Sequence, residues 1–232
     1  MRTALGSLNR ETSIPPRRNG ETVSSEESTP LQASGGTGND EAKRQADERE
    51  KLRKSLGVSR LENTFETFKV LPGTAEVLRV FKQLAESDFQ RPFLLCYGGV
   101  GNGKTHLCEA TVMALYQRGI FCRYSTMARV MRNLKAAMRS DSEVSSAVLL
   151  ERYCQARCLV LDDVGMGGSG SEWEYGQLEE IVNERYHERL MTIITTNRDL
   201  GELPERVISR FSDPAVGIVV LNSGADYRRR KA

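Results

Sequence analysis

The octapeptide Gly98-Gly99-Val100-Gly101-Asn102-Gly103-Lys104-Thr105 lies between an apolar run, residues 92–97, and a stretch with helical periodicity, residues 106–118. A glycine-rich loop between a strand and a helix is typical of a phosphate-binding loop, whose backbone N–H groups point toward the phosphates of a nucleotide. The N-terminus of the helix adds positive partial charge at the same place. We therefore expect the octapeptide, with His106 directly after it, to bind a nucleoside triphosphate, with Lys104 reaching the terminal phosphates and Thr105 holding Mg²⁺.

A second apolar run, residues 158–161, ends in the two carboxylates of Asp162 and Asp163, which is the Walker B arrangement. The run is too short for a helix, so a strand that leads into an acidic turn is its simplest interpretation. Beside a phosphate-binding loop, Asp162 would orient the magnesium shell and Asp163 would polarise the attacking water. Because glutamate is more usual at the second position and aspartate is one methylene shorter, we expect slow intrinsic hydrolysis.

A third apolar run, residues 191–196, leads into Asn197, whose amide can bond the attacking water or the terminal phosphate. Two more apolar runs, residues 120–125 and 216–221, bring the number of expected strands to five. Strands that alternate with helices predict an α/β fold with a parallel sheet covered on both faces. Ligands of such sheets bind beyond the carboxyl ends of the strands, where all three motifs lie.

The chain of 232 residues divides by composition into three parts. Residues 1–40 are rich in Ser, Thr, Gly, Pro and Glu and poor in large apolar side chains, which predicts a disordered tail. Residues 41–60 are mostly charged and predict a solvated helical linker or, alternatively, a segment that docks a partner. Residues 61–232 are long enough to form one domain with a normal core.

Apolar content and cysteine usage exclude several classes of protein. No stretch approaches eighteen apolar residues and the N-terminus lacks the apolar core of a signal peptide, so we expect a cytoplasmic protein without a membrane partner. The five cysteines are odd in number and lack CxxC spacing, which favours neither a disulfide framework nor a zinc site. We interpret Cys96 and Cys158 as small core residues.

The formal net charge is only +2, but residues 127–140 separate their side chains into a basic and an apolar side. The predicted helix carries its basic residues within about a third of its circumference, at positions Arg129, Arg132, Lys135 and Arg139. Its apolar side is expected to hold Val130, Met131, Leu134, Ala137 and Met138. The basic side suits the phosphate backbone of a nucleic acid, and an ordinary solvated surface is the alternative.

Arginines later in the chain point to contacts with other subunits. Arg206 and Arg210 lie one turn apart in the predicted helix 203–211, and phosphoryl transfer is often assisted by an arginine from a neighbouring subunit. Arg185 and Arg189 are likewise spaced for an interface on the helix that begins at residue 173.

The order of these motifs resembles the AAA+ ATPases of the ASCE P-loop class, and more narrowly the DnaC-type replicative helicase loaders and the IstB-type helper ATPases. The resemblance covers about residues 61–231. It is carried by TFETF (64–68), GGVGNGKTHL (98–107), LVLDDVG (159–165), TIITTN (192–197), ERVISRF (205–211) and DYR (226–228).

The resemblance implies a Mg²⁺-dependent ATPase that works as a homo-oligomer. It implies that Arg210 is an arginine finger acting in trans, that Arg228 is sensor 2, and that the helix with Arg129, Arg132 and Lys135 faces single-stranded DNA. Two features depart from the family. The helical lid of most AAA+ proteins is expected to be truncated or absent, and no helicase-binding module is recognisable before the core.

Our leading hypothesis is an ATP-dependent loader that assembles on single-stranded DNA and delivers a replicative helicase. The closest alternative is a transposase-helper ATPase acting on duplex DNA, and a third is an interaction protein that uses ATP only as a switch. A small-molecule kinase is disfavoured because the paired aspartates with Asn197 suit activation of water. A duplex initiator is disfavoured because no helix-turn-helix follows the core.

Overall fold

The computed structural model describes residues 37–87, 90–139, 142–165 and 171–228. The predicted tail before residue 37 lies outside these ranges. Five strands form one sheet in the order β2-β3-β4-β1-β5, and every neighbouring pair is parallel. Their bounds are β1 Phe93–Tyr97, β2 Cys122–Thr126, β3 Cys158–Val164, β4 Met191–Thr196 and β5 Gly217–Leu221. The predicted five-stranded parallel sheet is thus confirmed.

Helices cover both faces of this sheet. They are α1 Thr37–Leu56, α2 Ala75–Glu86, α3 Lys104–Gln117, α4 Met127–Ala136, α5 Ser146–Cys154, α6 Glu172–His187 and α7 Glu205–Ser212, with a 3₁₀ turn at Leu200–Glu202. Sequence patterns did not single out α2 or α5. The described residues after β5, 222–228, form no helical lid.

The core has two layers because successive strand residues point to opposite faces. Leu94 on β1 packs in the cluster formed with α2 and α3, whereas Leu95 packs in the cluster formed with α4, α5, α6 and α7. On β3, Val160 and Leu161 divide between the two clusters in the same way. Burial on both faces explains why these strands are continuously apolar.

The packed region begins earlier than the expected boundary at residue 61. Helix α1 begins at Thr37, and Leu56 at its end and Val58 beyond it are each 1% exposed within the core. Between them, Gly57 has φ 78°, and a Cβ there would lie 2.5 Å from the carbonyl oxygen of Tyr124 on β2. The end of the predicted linker therefore packs directly against the sheet.

Helix α4 is shorter than predicted. The Thr126 side chain accepts a bond from the backbone N–H of Arg129 and caps its start, but the helix ends at Ala136 rather than near residue 140. Met138 is 55% exposed instead of packed. Arg139 lies beyond the helix and does not continue its basic side.

Arg185 is a core residue, so an interface role is wrong for it. Its side chain is fully buried on α6, and burial lowers the pKa of its guanidinium to about 10. The guanidinium donates to the Thr192 hydroxyl and to the carbonyl oxygens of Tyr153, Cys154, Ala156 and Met191. These bonds join the end of α5 to the beginning of β4.

All five cysteines are free and buried, in agreement with their assignment to the core. Within the described ranges, no helix combines the length and apolar character that a membrane crossing requires.

Candidate active site

The glycine-rich loop connects β1 to α3 at the carboxyl edge of the sheet. Gly98 and Gly103 have φ values of 136° and 94°, a region that L-residues rarely adopt. A Cβ at Gly98 would lie 2.2 Å from the carbonyl oxygen of Asn222, and one at Gly103 would lie 2.6 Å from the Phe68 ring. Glycine is therefore required by the segments on either side of the loop as well as by its backbone shape.

Lys104 begins α3 and directs its ammonium back into the loop. Its Nζ donates to the carbonyl oxygens of Gly98 at 2.7 Å and Gly99 at 2.6 Å, and to Asn102 Oδ1 at 3.0 Å. The side chain is buried, and this desolvation lowers the pKa of Lys104. Phosphate oxygens entering the loop would compete with these three acceptors for the ammonium.

Asp162 is held from both neighbouring strands. Its Oδ2 accepts a bond of 2.8 Å from the Tyr124 hydroxyl on β2, and its Oδ1 accepts a bond from the Thr195 hydroxyl on β4. The residue is 2% exposed. The orientation of this carboxylate is thus fixed by hydroxyl donors on two sides.

Asp163 and Asn197 are brought together. Asn197 Nδ2 donates to Asp163 Oδ1 at 2.7 Å. Asp163 itself has φ 61°, and the pairing of β3 with β4 is irregular between residues 161 and 164. Partial burial and, secondly, the charge of Asp162 raise the pKa of Asp163. A half-buried carboxylate of raised pKa, with one oxygen still free of the Asn197 bond, suits a base that takes a proton from water.

Thr105 and His106 lie in the first turn of α3 and have different surroundings. Thr105 is exposed. His106 Nε2 lies 2.8 Å from the carbonyl oxygen of Thr64, and its ring meets the Phe68 ring edge-on. His106 therefore fixes the segment before α2 beside the loop, and a direct role in nucleotide binding stays a prediction.

The segment after β5, residues 222–228, crosses the glycine-rich loop. Asn102 Nδ2 donates to the carbonyl oxygen of Asn222 at 2.8 Å, and Asn222 Nδ2 donates to the carbonyl oxygen of Asn102 at 3.1 Å. The Tyr227 N–H donates to the carbonyl oxygen of Gly101 at 2.9 Å. The last described residues of the chain are thereby attached to the loop.

The two arginines expected to contact ATP lie at different places. Arg228 is exposed, and its charge acts to lower the pKa of Asp163, so it lies within electrostatic range of the site. Arg210 lies on α7 against α6, where it donates to Asn183 Oδ1 at 3.1 Å and covers the Tyr186 ring at 4.5 Å. Arg228 is thus close enough to act on the Asp163 carboxyl electrostatically, while Arg210 is held on the surface formed by α6 and α7.

The predicted DNA contacts are all exposed, at Arg129, Arg132, Lys135 and Arg139. Lys135 is nevertheless engaged with α6, because its Nζ lies 2.7 Å from a Glu174 carboxylate oxygen and 5.4 Å from the centre of the Trp173 ring. The cationic surface of α4 is therefore mainly Arg129 and Arg132. Their contact with DNA stays a prediction.

A family model described as IstB-like ATP binding protein matches residues 39–222. The chain belongs to this family. It is an IstB-like ATP-binding protein, and the glycine-rich loop and both aspartates lie inside the matched region.

Relatives of this IstB-like protein carry names that refer to replication or to an insertion sequence. The chromosomal replication initiator DnaA of Limosilactobacillus fermentum is 28% identical over 65% of this chain and 35% of its own length. The replicative helicase loader DnaC of Buchnera aphidicola is 28% identical over 69% of this chain and 70% of its own. A putative insertion sequence ATP-binding protein of Sinorhizobium fredii is 29% identical over 60% of this chain and 47% of its own. The chain thus spans about a third of the DnaA relative.

Solved structures of DnaA share the fold of the IstB-like chain. AMPPCP-bound DnaA from Aquifex aeolicus matches with a TM-score of 0.59 and 27% identity, over 69% of this chain and 50% of that one. DnaA bound to AMPPCP and single-stranded DNA matches with the same values. These likenesses and the strand order confirm the predicted AAA+ fold.

Three residues of the IstB-like site were not assigned a role from sequence: Tyr124, Thr195 and Asn222. Thr195 had a detectable signal, because it lies two residues before Asn197, which had been singled out, and alternate residues of an extended chain point to the same side. Tyr124 and Asn222 had none, because their partners lie 38 and 120 positions away along the chain.

Proposed function

We propose that this IstB-like protein hydrolyses ATP and loads a ring helicase onto single-stranded DNA during replication. The observation that carries the ATPase is the bond from Asn197 to Asp163 at the edge of the sheet where the glycine-rich loop begins. The DnaC relative, of which the chain covers 70%, supports the loader role, and the relatives named for replication support a replication-related use of ATP.

The geometry suggests how the chain's own residues would divide the work. The N-terminus of α3 and the Lys104 ammonium would neutralise charge on the terminal phosphates. Asn197 bonds one carboxylate oxygen of Asp163, which leaves the other to accept a proton from water. Water would attack the γ-phosphorus, the bond to the bridging oxygen would break, and ADP and phosphate would leave.

The residues also suit Mg²⁺, which prefers oxygen ligands and is commonly held by one or two carboxylates together with substrate phosphates. In the described ranges, no group of three or more His, Cys, Asp or Glu could hold a metal on its own. The Asp162 carboxylate and the hydroxyl of the exposed Thr105 are oxygen ligands of the kind that Mg²⁺ prefers. We assign them to the ion, which would neutralise charge that develops on the phosphates.

Assembly and DNA binding belong to the same proposal. Arg129 and Arg132 form an exposed cationic surface suited to a phosphate backbone. Arg210 lies on the surface of α6 and α7, where a neighbouring copy would present its nucleotide. ATP bound between two copies would therefore report that subunits have assembled along DNA.

The test is the mass of the assembly. Multi-angle light scattering of the full chain with ATP and a single-stranded oligonucleotide should give a larger oligomer than ATP or DNA alone. Released phosphate, measured without any added acceptor, should rise with assembly. A chain that stays monomeric with ATP, with DNA and with both contradicts the loader proposal. Phosphate release in the absence of an acceptor contradicts the kinase alternative.

A transposase-helper ATPase acting on duplex DNA is the second candidate, favoured by the relative named for an insertion sequence. Affinities for duplex and single strands of equal length, measured at one salt concentration, distinguish the two candidates. Tighter binding to single strands supports the loader, and tighter binding to duplex supports the helper. If the protein instead uses ATP only as a switch, the Asp163→Asn substitution should leave ATP turnover unchanged.

A further inference from the structure

A single hydroxyl on β4 contacts both aspartates of the site. Thr195 Oγ1 donates to Asp162 Oδ1 and accepts the backbone N–H of Asp163 at 3.1 Å. Thr195 is fully buried and pairs with Cys96, the penultimate residue of β1. One side chain thus fixes the orientation of a carboxylate and, at the same time, the backbone of the next residue.

The second of these bonds matters because of the backbone conformation of Asp163. Its φ of 61° is unfavourable for a residue with a Cβ and persists only when its surroundings hold it. Its N–H bonds Thr195 on β4, and its carboxylate accepts a bond from Asn197, the residue directly after that strand. Without the Thr195 hydroxyl, the Asp163 N–H would lose its acceptor and the carboxylate would lose part of its support.

Tyr124 allows the two effects to be separated. Its hydroxyl donates to Asp162 Oδ2 at 2.8 Å, so it shares with Thr195 the control of Asp162. Thr195 differs from Tyr124 because it also bonds Asp163.

We propose that Thr195 is a positioning residue that sets Asp162 for the magnesium-bearing nucleotide and Asp163 for the attacking water. This inference rests on the proposed ATPase function. It adds a second supporting group, two residues before Asn197, to the amide that follows β4.

The experiment compares full-length Thr195→Val, Thr195→Ser and Tyr124→Phe with a matched control, Thr111→Val. Thr111 is equally buried, and its hydroxyl donates only to the Leu107 carbonyl within α3. Each protein is measured for the affinity of a fluorescent ATP analogue with EDTA and with Mg²⁺, for kcat and KM of ATP hydrolysis at saturating Mg²⁺, and for thermal unfolding.

Mg²⁺ should raise nucleotide affinity about tenfold less in Thr195→Val and in Tyr124→Phe than in the wild type, because each substitution removes one charge-assisted bond to Asp162. The nucleotide affinity measured in EDTA should stay within about threefold of the wild type. Only Thr195→Val should also lower kcat, by about 10²-fold, since it alone reaches the base. Thr195→Ser keeps the hydroxyl and should stay within about threefold of the wild type.

A Thr195→Val protein that matches Thr111→Val in both readouts overturns the inference. So does a Thr195→Ser protein as impaired as Thr195→Val, because the effect would then come from packing. If Mg²⁺ raises the nucleotide affinity of the wild type but no phosphate is released, the proposed ATPase function is wrong. The nucleotide affinities of the variants then still test whether Thr195 positions Asp162. A wild type without any gain from Mg²⁺ overturns the inference itself.

Discussion

Asp163 has a left-handed backbone conformation, is partly buried and lies beside a second carboxylate. Each of these features is unfavourable for a folded chain, and each is useful to a base that must stay fixed and bind a proton readily. The hydrogen bonds to Thr195 and from Asn197 offset part of the strain. A site residue of this kind is expected to trade stability for function.

The Asp163→Asn substitution should therefore stabilise the protein while impairing it. Because the folded-state pKa of Asp163 lies above its unfolded value, ionisation disfavours the fold, and stability is lost as the pH rises between these two values. Asparagine keeps an acceptor for Asn197 and removes the charge. We expect a higher melting temperature than wild type at pH 7, a difference that shrinks toward about pH 4, and hydrolysis lowered about 10²-fold or more.

Asp213 offers a control of opposite sign. The Tyr186 hydroxyl bonds its carboxylate and holds the pKa of Asp213 below its usual range. Its ionised form therefore stabilises the fold above the unfolded pKa, and Asp213→Asn should lower the melting temperature at pH 7. If both substitutions shift the melting temperature in the same direction, the charge argument for Asp163 is wrong.

At the scale of elements, α4 combines two attachments with one exposed surface. Val130, Met131 and Leu134 pack in the core, and Lys135 binds Glu174 on α6. The remaining basic side chains of the helix are then free to meet a partner outside the fold, and they are arginines, which suit phosphate contacts.

We therefore predict unequal effects of alanine substitutions along α4. Arg129→Ala and Arg132→Ala should each weaken binding to single-stranded DNA and reduce the slope of log affinity against log salt by about 0.7. Lys135→Ala should change the slope less, because its ammonium is already paired with Glu174. Fluorescence anisotropy at several salt concentrations measures both quantities.

Arg79→Ala on α2 is the control, since Arg79 is half-exposed and paired with Glu76 on a helix that packs in the other core layer. If Arg132→Ala and Arg79→Ala reduce the salt slope equally, α4 is not the DNA surface. A Lys135→Ala protein as impaired as Arg132→Ala would show that the ion pair with Glu174 opens on binding.

Features that depend on residues close together in the chain could be predicted from the sequence, whereas features that depend on distant residues could not. The strands were predictable because each is a short apolar run, and the loop and aspartates were predictable because they occupy fixed positions after such runs. The left-handed turn at Asp163 was not, because it depends on Thr195 from another strand. The burial of Arg185 was hidden because four of its five acceptors are backbone carbonyls, which carry no sequence signal.

At the scale of the whole molecule, the parallel sheet brings the ends of β1, β3 and β4 to one edge. The charges that act on the Asp163 carboxyl come from Asp162, Lys104 and Arg228 of the same chain. Arg210 is held elsewhere, between Asn183 and Tyr186 on α6. One copy would thus carry most of an ATPase site on one surface and an arginine that does not act on its own site on another.

Mixing two inactive variants tests whether neighbouring copies complete each other's sites. Lys104→Ala removes the phosphate-binding ammonium and Arg210→Ala removes the arginine, so each variant alone should hydrolyse ATP at least about 10²-fold more slowly than wild type. In an equal mixture with single-stranded DNA, an Arg210→Ala copy can bind ATP beside a Lys104→Ala copy that still has Arg210. If copies pair at random, one interface in about four is complete, and phosphate release should recover to about a quarter of the wild-type rate. A mixture of Lys104→Ala with Asp163→Asn is the control and should not recover, because both defects lie on the nucleotide side of the interface. Absence of recovery in the first mixture, with mixed oligomers confirmed by light scattering, would mean that Arg210 does not act in trans.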